Sequence, residues 1–343
     1  MNMLDFPITQ VSFREKLSDS YSTFHSAIIL TMILVTGGTG FIGRVLVRQL
    51  VEAGHEVRTL IRPSPKSPQL PQGVPVEVAV VSLNDLRGLR AALRGVDQVY
   101  HLASGEKSGE LYETDIAGTE ILAQAAAGAR VKQLIYLSQI GADKASAFPT
   151  LRAKGLAEEH IRKSGVPYTI LRSSIVFGPE DNFTTNLAHL ARIAPGFLFL
   201  PSKGETLLQP IWVEDLATCL LWSLDAPNLE NEMHEIGGSE YFDLRQVFEI
   251  ILSATGKKRL LLPATTPLLR VLNVFLEALI PNFPLTSFFL DYTAINRTCE
   301  TDSLSRIFQL MPARFTYRLG YLDKSSWRDS FRKKLKRKKR GTT

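Results

Sequence analysis

The residues with the clearest chemistry are three glycines, Gly37, Gly40 and Gly43, which follow an apolar run and precede a stretch of helical periodicity. In a strand–turn–helix unit, the first glycine permits a tight turn and the second lets the backbone approach a phosphate. The third lets the helix pack closely on the strand, while the helix N-terminus offers amide groups and a positive dipole end. The spacing therefore predicts a pyrophosphate-binding turn in a dinucleotide site.

A second side of this site is expected where the strand predicted over residues 98–103 ends at a small residue, because backbone can approach a cofactor there. The residues predicted to contact the cofactor from the turn and this strand end are Thr36, Gly37, Gly38, Thr39, Gly40, Phe41, Ile42, Gly43, Leu102 and Ala103.

The end of the second predicted strand bears on the choice of nucleotide. An NAD-specific site normally places an acidic residue here to accept the ribose 2′-OH, whereas this chain has Arg62, with Lys66 four residues later. A guanidinium can stack on adenine and pair with a 2′-phosphate, so NADP(H) is favoured and NAD(H) stays open. Arg58 is a competing candidate, and a solvated loop arginine is the plain alternative.

The elements that must position these residues alternate between short β-branched runs and longer amphipathic stretches up to about residue 172. This pattern predicts an α/β fold with a doubly wound parallel sheet and right-handed crossovers. Strands are predicted over 32–36, 56–61, 76–81, 98–103, 133–138 and 168–173. Helices are predicted over 41–53, 85–94, 116–129 and 151–164.

The alternation fails after Gly178, which divides the chain into a Rossmann domain over 32–178 and a smaller, mostly helical substrate region over 179–325. Within the latter, 195–210 is expected to form loops over a cleft, and a strand near 233–236 is expected to return to the sheet. Four successive apolar residues, Phe197 to Leu200, favour a lipid-like or quinone ligand over a sugar nucleotide.

Composition excludes several other classes of protein. With 45% hydrophobic and 22% charged residues the chain is an ordinary globular protein. Its two cysteines, Cys219 and Cys299, are far apart and the histidines are not clustered, so neither a disulfide framework nor a metal site is expected. The same use of cysteine favours a reducing, cytoplasmic setting. Without a run of 18 uncharged apolar residues, a membrane-spanning helix is not expected. Residues 1–31 are expected to form an extension, for which disorder is one interpretation.

The basic residues are concentrated at one end. The formal net charge is +6, but 332–340 carries eight basic and no acidic residues, so the remainder sums to −2. This tail, within 326–343, is typical of contact with anionic lipid or an acidic protein surface, or of a merely solvated segment. Together with the apolar periodicity of 268–280 it favours a peripheral position at the inner face of the cell membrane. Nucleic-acid binding is not favoured, because no base-reading motif is present.

Several motifs extend the pattern of the glycine-rich turn along most of the chain. They are TGGTGFIG (36–43), DQVYHLA (97–103), YLS (136–138), GVPYTILR (165–172), VFGP (176–179), QPIWVEDLA (209–217), and PLLR with LIPNFPLT between 267 and 286. Over about residues 32–325 the chain resembles the extended and atypical short-chain dehydrogenases, a superfamily that includes NAD-dependent epimerases and dehydratases. Within it, the chain is most similar to the subgroup of the Rossmann-type accessory subunit of respiratory complex I and its bacterial relatives.

The resemblance implies a catalytic site that this chain completes only in part. Active members use a serine, and a tyrosine and lysine spaced YxxxK, to exchange a proton as hydride moves. The matching residues are Ser138 and Lys154, but Thr150 stands at the tyrosine position. An aliphatic hydroxyl has a pKa roughly five units above that of a phenol, so Thr150 cannot replace the proton donor. Ser138 and Lys154 are still expected to contact the nicotinamide end of the cofactor.

Two hypotheses about function follow. One is an NAD(P)(H)-binding protein with a structural, assembly or sensing role at a membrane quinone or respiratory complex. The other is an active NADP-dependent oxidoreductase or epimerase/dehydratase with an apolar or quinone-like substrate, whose proton donor is water, the substrate itself or a displaced tyrosine. The candidates for the last are Tyr112, Tyr136 and Tyr168, although the latter two lie in predicted strands and favour a place in the core. The resemblance also shows Ser82 where many relatives have an adenine-contacting Asp. His101 and Asp215 are expected to be structural, the latter as a helix cap.

Overall fold

The computed structural model describes residues 31–64, 70, 73–105, 110–279 and 287–324. The strands are β1 (Met32–Thr36), β2 (Glu56–Ile61), β3 (Glu77–Val80), β4 (Gln98–His101), β5 (Gln133–Gln139), β6 (Tyr168–Ser173), β7 (Val176–Phe177), β8 (Phe197–Leu200), β9 (Leu207–Leu208), β10 (Ile211–Trp212), β11 (Glu232–Ile236), β12 (Phe242–Asp243) and β13 (Leu260–Pro263). The helices are α1 (Phe41–Glu52), α2 (Leu86–Ala92), α3 (Gly118–Ala129), α4 (Pro149–Lys163), α5 (Thr184–Ile193), α6 (Val213–Trp222), α7 (Leu244–Ala254), α8 (Thr266–Leu279), α9 (Ser287–Tyr292), α10 (Ser303–Phe308) and α11 (Tyr321–Lys324).

The main sheet has seven parallel strands in the order β11-β6-β5-β4-β1-β2-β3. The order reverses beside β1, because the chain winds outward first through β2 and β3 and then through β4, β5 and β6. The predicted doubly wound α/β fold is therefore confirmed. In such sheets ligands bind outside the carboxyl ends of the strands at this switch point.

The sheet is covered on both faces, as a parallel sheet requires. One face packs α1 and α6 over residues such as Ile33 and Val35, and the other packs α2, α3 and α4 over residues such as Leu34. Alternate residues of β1 thus point into different cores, which explains why the whole strand is apolar. Both cores lie beneath the site and hold its strand ends in place.

The third helix differs from its prediction. A π-helical segment, Leu111–Ala117, precedes α3 directly, so the helical region begins before residue 116. The 3.6-residue periodicity is lost over these residues, because a π-turn adds a residue to the turn and rotates the side chains out of register. One consequence is that Asp115 is fully buried.

The stretch 195–210 was expected to form loops, and this expectation is wrong. Residues Phe197–Leu200 form β8, which pairs in parallel with β13, while 207–208 form β9 against β12. Leu198 and Leu200 are buried in a third apolar core, which belongs to the C-terminal lobe formed by α5, β8, α7, β13 and their neighbours. Leu198 and Leu200 therefore pack this lobe and do not face a ligand, contrary to what the apolar run predicts.

The expected capping role of Asp215 is also wrong. Helix α6 begins at Val213 with Trp212 as its cap residue, and Asp215 lies in the first turn. Its carboxylate accepts a hydrogen bond of 2.7 Å from the backbone N–H of Ala313 and so fastens the C-terminal segment to α6.

Within the described residues, no helix combines the length and apolar character needed to cross a bilayer. The extension 1–30 and the tail 325–343 lie outside the described residues.

Candidate nucleotide-binding site

The glycine-rich turn joins β1 to α1 at the centre of the sheet. Gly37 has a φ of +74°, and a Cβ atom there would lie 2.6 Å from the backbone N of Ala103. At Gly43 a Cβ would lie 2.1 Å from the carbonyl O of Gly37. Neither position can carry a side chain without moving backbone, so the turn requires glycine for both conformational and steric reasons.

The N-terminus of α1 is prepared for an anion. Gly40 is its cap residue, so no side chain caps the helix, and its first turn contains no acidic residue. The first intrahelical bond runs from the N–H of Arg44 to the O of Gly40, which leaves the preceding amides of 41–43 without helical partners. Uncapped amides at the positive end of a helix dipole match the pyrophosphate of a dinucleotide.

A cavity of about 1090 Å³, the main cavity, extends from this turn along the carboxyl edge of the sheet to the C-terminal lobe. Its lining contains twelve of the thirteen predicted cofactor residues: Thr36, Gly37, Thr39, Gly40, Phe41, Ile42, Gly43, Arg62, Leu102, Ala103, Ser138 and Lys154. The remaining one, Gly38, is buried, and a Cβ there would lie 2.7 Å from Cγ2 of Thr59. Gly38 therefore serves packing of the turn.

The structure separates the two arginine candidates for nucleotide choice. Arg62 lies at the rim of the main cavity. Arg58 instead donates to the carbonyl oxygens of Ala92 and Arg94, at 2.5 and 3.0 Å, and forms an ion pair of 2.9 Å with Glu77. Arg58 thus holds the end of α2 against the sheet edge, which leaves Arg62 as the candidate for a 2′-phosphate.

Lys154 is paired with a buried carboxylate. Its ammonium lies 2.9 Å from Oδ1 of Asp115, and the side chains are 3% and 0% exposed. Asp115 also accepts bonds from the Ser104 hydroxyl, at 2.9 Å, and the Gly105 N–H, at 2.7 Å. Burial alone would lower the pKa of Lys154, but Asp115 and then Tyr136 raise it above the ordinary value. Lys154 therefore stays protonated.

Ser138 belongs to a second buried network. Its hydroxyl donates a bond of 2.6 Å to Oε1 of Glu158, which is 1% exposed and sits one turn after Lys154 on α4. Arg172 binds both carboxylate oxygens of Glu158, at 2.8 and 2.7 Å, and Arg162 adds a third contact. This fork-shaped ion pair fixes the end of β5 to β6 and α4. Ser138 lines the main cavity, but its proton is directed into the protein.

The tyrosines proposed as displaced acids do not line the main cavity. Tyr136 is fully buried, with its ring stacked 5.4 Å from that of His101, and burial raises its pKa well above the usual value. Tyr112 is 65% exposed, and Tyr168 lies partly buried at the start of β6. Thr150, at the tyrosine position of the resemblance, does line the main cavity.

His101 has the structural role expected of it. Its ring nitrogens contact the hydroxyls of Thr36, at 2.7 Å, and Thr119, at 2.8 Å, so it ties β4 to β1 and α3. Burial, followed by the charge of Lys154, lowers the pKa of His101 to about 3. The ring is therefore neutral at physiological pH and does not add charge beneath the site.

Sequence reasoning missed Asp115, Glu158 and Arg172. The pairing of Asp115 with Lys154 joins residues from separate helices, so no local pattern reveals it. Glu158 had a weak signal, because Lys154, Glu158 and Arg162 recur at four-residue spacing on α4. Also missed were Asn182 and Asn186, which line the main cavity from the C-terminal lobe.

Comparison with known proteins agrees with this site. Residues 37–190 match a family model described as NAD(P)H-binding. The chain is 29% identical over 229 residues to the mitochondrial NADH dehydrogenase [ubiquinone] 1 alpha subcomplex subunit 9 of Arabidopsis thaliana, covering 63% of this chain and 56% of that protein. It is 29% identical over 228 residues to the NAD(P)H azoreductase of Xenophilus azovorans, covering 66% and 74%.

Among solved structures, a UDP-glucose 4-epimerase from Thermotoga maritima superposes with a TM-score of 0.66 over 89% of this chain and all of that chain, at 20% identity. This likeness concerns the fold alone. The fold is of the Rossmann type, and residues 37–190 match an NAD(P)H-binding family. The proteins similar in sequence include one named as a subunit of mitochondrial NADH dehydrogenase.

Proposed function

We propose that this protein binds NADP(H) and uses the bound nucleotide in a structural, assembly or sensing role, without the proton relay of ordinary short-chain dehydrogenases. The arrangement around Lys154 is the observation that carries the proposal. Thr150 replaces the phenol, Asp115 pairs with Lys154, and Ser138 donates its proton to Glu158. Of the three relay positions, Lys154 and Ser138 therefore have other partners, and the hydroxyl of Thr150 is too weak an acid to donate the proton.

We expect this site to bind a nucleotide without promoting its reaction. The glycine-rich turn and the N-terminus of α1 would hold the pyrophosphate, and Arg62 a 2′-phosphate. Lys154 has three N–H donors, of which Asp115 takes one, so a ribose hydroxyl can be bound as well. A bound nicotinamide dinucleotide would supply hydride chemistry. Without a proton donor at Thr150 its main effect is to stabilise the native state by mass action.

A place beside a membrane-bound redox complex is part of this proposal. It is supported by the likeness to a protein named as a subunit of mitochondrial NADH dehydrogenase, of which the match spans 56%. Helix α8 offers a surface feature in keeping with it, since Leu268 and Val271 are 60% and 58% exposed. The basic tail at 332–340, which lies outside the described residues, would add attraction to an anionic leaflet or an acidic protein surface.

A second candidate is an oxidoreductase that takes its proton from water. It is favoured by the extent of the main cavity, which continues past Lys154 to Asn182, Asn186 and Tyr292 and so leaves room for an acceptor beside a nucleotide. The relative named as an NAD(P)H azoreductase, of which the match spans 74%, supports this reading. A conjugated acceptor such as a quinone or an azo compound suits it, because the reduced product can be protonated by solvent.

One experiment separates the two candidates. Thermal unfolding of the full chain is measured with NADPH, with NADH and with neither, and NADPH oxidation is then followed with menadione or an azo dye as acceptor. We expect stabilisation by NADPH without oxidation above the rate in the absence of protein. The variant Gly40→Asp places a carboxylate against the pyrophosphate and should lose the stabilisation.

The variant Thr150→Tyr restores the phenol and sharpens the result. Under the first candidate, Thr150→Tyr still binds the nucleotide. This variant either gains an NADPH oxidation activity that the natural chain lacks or stays inactive. Rapid oxidation of NADPH by the natural chain, abolished by Gly40→Asp, would replace the first candidate with the second. An absence of stabilisation by either nucleotide would contradict both.

A further inference from the structure

Arg297 is a buried cation that the nucleotide site does not use. It is 1% exposed and is the largest fully buried side chain among the described residues. Its Nε donates to the O of Tyr292 at 2.8 Å, and its Nη1 to the O of Ile140 at 3.2 Å and to Oε1 of Gln139 at 3.4 Å. The guanidinium also lies over the Tyr292 ring, 4.4 Å from the centroid. All of these partners are neutral.

No carboxylate of the described residues forms an ion pair with Arg297, and its Nη2 makes no hydrogen bond to them. A buried charge without a counter-ion is costly, and proteins normally pair it or coordinate it. Burial lowers the pKa of Arg297, but a guanidinium remains charged at neutral pH. The position therefore holds a positive charge that is not balanced inside the protein.

Arg297 faces a small recess beside the main cavity. The recess is lined by Phe148, Thr150, Leu151, Asp291, Tyr292 and Arg297, and its volume of about 10 Å³ admits the centre of one water-sized atom. Thr150, Asp291 and Tyr292 also line the main cavity. A ligand lying in the main cavity can therefore place one atom in the recess.

Another wall of the recess is formed by the N-terminus of α4, through Phe148, Thr150 and Leu151. Phe148 provides no side-chain cap, Pro149 has no N–H, and the first intrahelical bond runs from Arg152 to the O of Phe148. The amides of Thr150 and Leu151 thus lie at the positive end of a helix of fifteen residues. Both walls favour negative charge. Asp291, at the rim, is paired with Arg270, which offsets its charge.

We propose that this recess binds one oxygen of a carboxylate on a ligand that occupies the main cavity, with Arg297 and the N-terminus of α4 as its partners. The ligand class is thus a small or apolar carboxylic acid whose body lies beside Thr150 and Tyr292. The site does not depend on the preferred nucleotide or on whether the protein turns over. It assigns to Thr150 the role of leaving open a space that a larger side chain would fill.

The test compares sodium benzoate with benzamide, its neutral isostere, as probes of the full chain at constant ionic strength. Binding is followed by calorimetry and thermal unfolding, with and without NADP⁺. We expect benzoate to bind and raise the unfolding temperature, and benzamide to do neither. Sodium chloride in place of benzoate forms a separate arm, because a halide also fits a recess of this size.

Two variants locate the effect. Arg297→Met removes the charge, and Thr150→Met fills the recess while keeping Arg297. Each should weaken benzoate binding by about tenfold or more, because a charge-assisted contact is lost or blocked. Arg297→Lys should recover part of the affinity for benzoate. Arg90→Met, at an exposed position of α2, should leave that affinity unchanged. Stabilisation by NADP(H) should persist in Thr150→Met. A loss of benzoate binding in this variant can therefore be told apart from a loss of the nucleotide site.

The proposal is overturned if benzoate and benzamide bind alike, if neither binds, or if chloride alone binds, in which case the recess is a halide site. Benzoate binding that survives Thr150→Met also overturns it, because the probe would then lie elsewhere. This second variant keeps the test decisive if Arg297→Met does not fold.

Discussion

The two halves of the main cavity are built in different ways. The half around the glycine-rich turn uses backbone: amides at the N-terminus of α1, and glycines where a Cβ atom would meet backbone at 2.1 to 2.6 Å. The half around Lys154 uses side chains from separate elements, joined in the pairs Asp115–Lys154 and Glu158–Arg172. The first half lies within residues 37–190, which match the NAD(P)H-binding family, and the second has Thr150 where the resemblance implies a tyrosine.

This difference indicates which half tolerates change. A backbone site needs particular residues at a few positions, because only glycine fits them, so loss of one glycine removes the function. A side-chain site can exchange partners and remain folded if every buried charge stays paired. The half around Lys154 is well packed, and its buried charges at Asp115, Lys154, Glu158 and Arg172 are paired.

The largest expected effect concerns the buried pair in the side-chain half. Asp115→Ala leaves the Lys154 ammonium buried without a counter-ion and should lower the free energy of unfolding by about 3–5 kcal/mol. Because the pKa of Lys154 is raised above its ordinary 10.5, this stabilisation is complete below pH 10.5 and is lost only at higher pH. Denaturant unfolding of Asp115→Ala and of Asp115→Ala with Lys154→Met measures it. The double variant should regain most of the lost stability. Equal free energies of unfolding for the single and the double variant would refute the pairing.

The next effect concerns the backbone half. Gly43→Ala forces a Cβ against the carbonyl of Gly37 and should cost about 1–3 kcal/mol of stability together with the response to NADPH. Gly128→Ala is the matched control, because nothing lies within 4 Å of a Cβ there and the residue is inside α3. The control should keep the nucleotide response and gain stability slightly. An unchanged thermal shift in Gly43→Ala would contradict the proposed turn.

A smaller effect is expected at His101, which contacts Thr36 before the glycine-rich turn and whose pKa is lowered by burial and then by Lys154 in the other half. Its pKa of about 3 in the folded protein lies below the ordinary 6.5, so the unfolded chain takes up a proton first as pH falls. The contribution is complete above pH 6.5 and is lost by about 1.4 kcal/mol per pH unit below it, so that about 1.4 kcal/mol is lost at pH 5.5. Unfolding curves of the natural chain and His101→Gln should therefore converge at acid pH. Parallel curves would show that His101 is protonated in the native protein.

The smallest effect on stability is expected at Arg62. Arg62→Ala should change the free energy of unfolding by less than about 0.5 kcal/mol, because the side chain is exposed. It should nevertheless reduce the preference for NADPH over NADH on the order of tenfold, since one charged contact to the 2′-phosphate is lost. Calorimetric titration with both nucleotides measures this, and Arg90→Ala serves as control. An unaltered preference would remove Arg62 from the nucleotide site.

Much of the backbone half could be predicted from the sequence. The predicted bounds of the strands 32–36, 56–61 and 168–173 agree with the structure, because each is a short run rich in β-branched and aliphatic residues. The stretch 195–210 was not, because strands of two to four residues carry too little periodicity to be told from loops. The start of the third helix was missed because the π-helical segment breaks the spacing.

By itself, the sequence determined the fold class, the glycine-rich turn between β1 and α1 and the identity of residue 150 as threonine, because each depends on residues near one another in the chain or on local backbone geometry. Only the tertiary structure decided that Arg58 holds α2 while Arg62 reaches the main cavity. It alone joined Asp115 to Lys154 and Glu158 to Ser138, and it alone placed Arg297 at the same recess as the first residues of α4. The two joined pairs are 39 and 20 positions apart in the chain, and side chains that meet only after folding leave no regular spacing in the sequence.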